Sequence, residues 1–142
     1  MRRLFIVLLL AALGLAAAAV PVAHAATWLA GGGTGASPSS GWRTSTFAAP
    51  VGRVDIYTVC SNSHGGSSHT VWVQRAGGGR VSQAYTLPCD SRPRWLRRVG
   101  IPIHPRLEVR AVAKKPDGTP CSLSDGTIRC AQGYTSAWSS GW

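Results

Sequence analysis

The residues able to do chemistry are few and widely spaced. Of 142 residues only five are acidic: Asp55, Asp90, Glu108, Asp117 and Asp125. Asp117 and Asp125 each precede a glycine, where aspartate closes backbone turns, and Glu108 falls on the outward side of an alternating strand. No two are placed as the acid and base of a glycosidase. Serines are plentiful, but no Gly-x-Ser-x-Gly elbow occurs. His64, His69 and His104 lack sequence neighbours that would make a triad. His64 and His69 are spaced as half a metal site with no third ligand near, and Cys121 and Cys130 lie too far apart for a C-x-x-C knuckle. The glycines at 31–33 and 77–79 lack the Gly-Lys-Ser/Thr of a phosphate loop. The expectation is a non-catalytic protein with no metal and no cofactor.

Binding chemistry is better represented. Arg92, Arg94, Arg97 and Arg98 surround Trp95, a set that could grip phosphate or sulfate and stack on a sugar. A charge run more often marks a wet surface, so the favoured reading is a solvated loop in which Trp95 plugs the edge of the fold and the arginines snorkel. Trp28, Leu29, Trp42 and Phe47 are set into a Gly/Ser-rich stretch with no period of 2 or 3.6. They read either as an arm docking another protein, as an added strand for example, or as Trp42 and Phe47 folded back onto the sheet with Trp28 disordered.

The elements that must carry these residues follow from the rest of the chain. Met1-Arg2-Arg3, an apolar run from Leu4 to Val20 and Ala23-His24-Ala25 make a signal peptide over residues 1–25. No second such segment follows, so a secreted, extracellular protein is expected, without membrane insertion. Its four cysteines would then oxidise. Three pairings exist; Cys60–Cys89 with Cys121–Cys130 fits the hairpin layout best. The larger loop would contribute ~3.6 kcal/mol and the smaller ~2.7 kcal/mol on the chain-entropy model.

Val54–Cys60, Thr70–Arg75 and Arg80–Cys89 are rich in β-branched and aromatic residues and are separated by Gly/Ser/Asn turns. Leu107–Ala113 alternates most cleanly, and a last strand starts at Thr127. No amphipathic helix follows the leader. The fold class is therefore all-β, a small antiparallel Greek-key-like sandwich of six or seven strands with two disulfides. The expected organisation is signal peptide 1–25, extended arm 26–50 and sandwich 51–142. The formal net charge of +10 points to anionic envelopes or acidic proteins as partners before nucleic acid.

The layout as a whole combines a Trp/Gly-rich leader, Tyr57-Thr58-Val59-Cys60, Cys89, Trp95 with Val99-Gly100, an alternating strand and a late Cys121…Cys130 pair ending in aromatics. It resembles the small secreted two-disulfide β-sandwich proteins of actinobacteria, and among them is similar to the adaptor subunit of umbrella toxin particles. The resemblance implies an adaptor joining a lectin-like subunit to a large toxin. It also implies that an extended N-terminal segment, here Thr27 to about Phe47, inserts into a cleft of the lectin-like subunit. The leading expectation is thus a secreted protein-binding adaptor. Its rivals are a cationic cell-wall or glycan-binding protein acting through Arg92, Arg94, Trp95, Arg97 and Arg98, and a proteinase inhibitor.

Overall fold

The computed structural model describes residues 26–34, 41–49, 51–61, 67–121, 123–124, 127–128 and 131–139. The predicted signal peptide lies outside them. Every strand pair is antiparallel. One four-stranded sheet runs in the order β1 (Trp28–Gly33), β10 (Gln132–Ser139), β3 (Arg53–Ser61), β6 (Arg94–Gly100). The other runs β2 (Gly41–Arg43), β7 (Leu107–Lys114), β4 (Ser68–Arg75), β5 (Tyr85–Pro88). A short ribbon, β8 (Leu123–Ser124) with β9 (Thr127–Ile128), follows β7. We call the two main sheets A and B.

The core lies between the sheets and is built by alternation. Val54, Ile56, Thr58 and Cys60 of β3 point inward, as do His69, Val71 and Val73 of β4 and Leu107, Val109, Ala111 and Ala113 of β7. These strands read clearly in the sequence because one face of each is covered and the other is wetter. Cys60 on sheet A is joined to Cys89, just past β5 of sheet B, so the predicted disulfide fastens one sheet to the other. Of the second predicted pair, Cys130 lies outside the described residues; Cys121 is buried and is not a free thiol.

Four expectations are corrected. First, the described parts of residues 26–50 are not an arm outside the sandwich. β1 pairs with β10, β2 pairs with β7, and Phe47 bridges to Leu107. The glycines that hid this stretch from periodicity are what let it pack. At Gly41 an added Cβ would fall 1.9 Å from the Ala111 carbonyl oxygen, and on β10 the missing side chain of Gly133 makes room for the Trp42 ring, 2.2 Å from where a Cβ would sit. Second, the Arg92–Arg98 stretch is not a loop, because Arg94–Gly100 forms edge strand β6; the charge run marks an exposed edge, which arginines guard against further pairing. Third, Glu108 does not face water: it is buried and accepts a hydrogen bond from Gln74 Nε2 at 2.7 Å. Fourth, the two main sheets hold eight described strands rather than six or seven, with the β8–β9 ribbon beside them.

Candidate binding face

Alternation on sheet A sends Val54, Ile56 and Thr58 inward, and so sends Asp55, Tyr57 and Val59 outward. Register then aligns the outward residues of neighbouring strands. Trp28 lies opposite Trp138, Trp138 opposite Asp55, Ser136 opposite Tyr57, and Tyr57 opposite Trp95. The result is a field of five aromatic rings across four strands. Tyr57 meets Trp95 edge-on with ring centroids 5.3 Å apart, Trp95 meets Trp138 at 5.8 Å, and Tyr57 meets Tyr134 at 6.5 Å. Gly31 provides the floor at one side. A Cβ there would fall 2.3 Å from the Tyr134 hydroxyl, so glycine lets that ring settle over β1, while Trp28 would be in ordinary contact at 3.4 Å. Trp28 is 51% exposed, Tyr134 41% and Trp95 40%.

One ion pair edges the field. A bulge in the β3–β6 register places Arg97 and Arg98 beside Asp55. Asp55 accepts the Arg98 amide at 2.8 Å and the Arg97 guanidinium at 3.2 Å. Arg97 is thereby held over the Trp95 ring, 4.2 Å from its centroid. Arg98 adopts a left-handed backbone (φ 53°) to make the bulge.

A second group of polar side chains lies inside the sandwich. Trp42 Nε1 donates to Thr135 Oγ1 at 2.8 Å, Thr135 and Thr58 hydroxyls are 3.2 Å apart, and Thr58 Oγ1 is 2.9 Å from His69 Nε2. Every member is satisfied when each hydroxyl donates to the next and His69 is neutral, accepting at Nε2. Burial pushes the His69 pKa down to about 4; a hydrogen bond to the Leu87 main chain opposes this. His69 Nδ1 lies 3.8 Å from Cys89 Sγ, and Trp42 stacks on the imidazole at 5.9 Å. Cys60, His69 and Cys89 bring their ligand atoms within 4.8 Å of one another. Both sulfurs are spent in the disulfide, however, and a metal needs thiolates.

No protein-family model matches this chain, and no curated protein or solved structure matches it either.

The site residues expected from sequence are therefore regrouped. Of Trp28, Leu29, Trp42 and Phe47, only Trp28 reaches the outer face. Leu29 packs against the core, and Trp42 and Phe47 are buried within it. Of the arginine set, Trp95 and Arg97 join Trp28 on the aromatic field, while Arg94 is paired with Asp90. Arg92 is exposed in the turn before β6 and Arg98 at the bulge. Alternation from an inward Cys60 turns Tyr57 outward, as found, but sequence reasoning does not single it out for binding and misses Tyr134 and Trp138 as surface residues. The signal for the last two is the period of two in Tyr134-Thr135-Ser136-Ala137-Trp138. His64 lies outside the described residues.

Proposed function

We infer that this chain is a secreted, non-catalytic adaptor of an extracellular, toxin-type complex, and that it fastens a protein partner on the outer face of sheet A. The observation that carries the reading is the five-ring field of Trp28, Tyr57, Trp95, Tyr134 and Trp138, which no described part of the chain covers. Tryptophan, tyrosine and arginine are the residues that dominate protein–protein binding energy. The rings stand at 59° to 69° to one another, a faceted surface. Arg97 already occupies one side of Trp95, which disfavours sugar stacking there.

The family resemblance supports the same role, with a lectin-like and a large toxin subunit as the expected partners. A disulfide between the sheets and the lack of a helix able to cross a membrane among the described residues are compatible with export. The docking device differs from the one first expected, since Trp42 and Phe47 are core residues here and the face takes over from the arm.

The test is size-exclusion and pull-down of tagged protein from native culture supernatant, comparing wild type with the Trp28→Ala/Tyr134→Ala double variant. Wild type should recover a defined protein complex, and the double variant should bind it roughly 30-fold more weakly or worse. Recovery of wild type alone, or of the same complex at the same strength with both proteins, would sink the adaptor reading.

A further inference from the structure

The adaptor reading leaves one built feature unused: the loop from Ile101 to Arg106 that follows β6. Ile103 stands at its apex with 74% of its surface exposed, more than any other large apolar side chain described. A surface isoleucine alone is ordinary. This one sits on a backbone fixed from both sides. The Ile101 amide donates to Gly52 at 3.0 Å, and the His104 carbonyl accepts from Ala49 at 3.0 Å. The Arg106 amide donates to His104 Nδ1 at 3.1 Å. Pro102 and Pro105 lock their own φ angles and hold Ile101 and His104, the residues before them, in extended conformations. Ile101 itself is buried and anchors the loop's first end.

The result is a stiff, extended segment that offers one branched, exposed aliphatic side chain. Prior ordering of a recognition loop removes much of the entropic cost of binding. The chemistry that fits Ile103 after a proline is a small apolar specificity pocket entered by an extended chain, the pocket that distinguishes elastase-type serine endopeptidases from trypsin-like ones. We propose that residues 101–106 form a substrate-like ligand for the active-site cleft of an elastase-type serine endopeptidase. Ile103 fills the specificity pocket, and the chain acts as a reversible inhibitor. No bond is made or broken. Tethering of the loop at Ile101 and His104 keeps both sides of the Ile103–His104 peptide in place. This function is separate from partner docking on sheet A, because no residue of the 101–106 loop takes part in the ring contacts of the aromatic field.

The experiment is steady-state inhibition by the full-length oxidised protein of pancreatic elastase, subtilisin, chymotrypsin and trypsin. The variants are Ile103→Gly and Ile103→Arg, with thermal melts to confirm that these exposed-site changes leave the fold intact. Wild type should inhibit elastase, Ile103→Gly should weaken that inhibition at least roughly 30-fold, and Ile103→Arg should transfer it to trypsin. The proposal is overturned by any of three results: no inhibition across the panel, inhibition unchanged in Ile103→Gly, or simple cleavage after Ile103 without inhibition. The Trp28/Tyr134 double variant should inhibit as wild type does, so a failure here and a failure of the adaptor reading are told apart.

Discussion

At the scale of single residues, His69 sets how the interior responds to acid. It is buried between the sheets, bonded to Thr58 and stacked by Trp42, and burial holds its pKa at about 4 instead of 6.5. Of the charged groups that face it, Arg94 disfavours the imidazolium and Asp90 favours it, both less strongly than burial acts. Because the folded pKa lies below the unfolded one, the unfolded chain takes up a proton that the folded chain refuses. Stability is therefore full above about 6.5 and falls as pH drops toward 4, by about 3 kcal/mol in all. Asp117, whose carboxyl is lowered by hydrogen bonds from the Thr119 hydroxyl and amide, loses its contribution only as pH nears and passes below its ordinary value of 3.8, at the acid end of this range. Urea denaturation at pH 7, 5.5 and 4 measures the loss. His69→Gln, which cannot titrate, should flatten the curve across that range; a wild-type curve already flat there would refute the assignment.

At the scale of elements, legibility followed burial pattern. β3, β4 and β7 were readable because each hides one face and their inward residues recur every second position. β6 was not, because an edge strand with three arginines around one tryptophan, and a fourth just ahead of it, has the composition of a loop. β1 and β2 were not, because Gly31, Gly32 and Gly33 carry no side chain to show a period, and only the partner strands decide their placement. The aromatic face was half legible: Trp28 and Trp95 were singled out as candidates for different sites, and only the β1-β10-β3-β6 order brings them onto one sheet face. This changes the meaning of a truncation. Removing residues 26–47 takes away edge strands β1 and β2 and empties the core of Trp42 and Phe47. Trp42→Ala alone should cost about 3–5 kcal/mol, as a large buried ring does. The truncated protein should thus lose its cooperative thermal transition, whereas Trp28→Ala should keep it. A truncation that melts like wild type would show that the first two strands are dispensable to the fold.

At the scale of the whole molecule, two sheets are held together by apolar contact and, among the described residues, by a covalent tie whose ends lie 29 residues apart. Closing a loop of that length restricts the unfolded chain by ~3.6 kcal/mol on the entropy model, a large share of the net stability of a small domain. The tie runs through the core between Cys60 and Cys89, whereas the aromatic field lies on the opposite side of sheet A, where Tyr57, Trp95, Tyr134 and Trp138 position one another by ring contacts. Stability and binding should therefore separate. The Cys60→Ala/Cys89→Ala double variant should unfold at lower urea concentration, by an amount near the loop term plus the packing lost around His69. Below its transition it should still hold the partner with wild-type strength, because the face does not depend on the tie. If the double variant is fully folded by circular dichroism yet binds markedly less, the face is being shaped from within the core, and the rings alone do not define it.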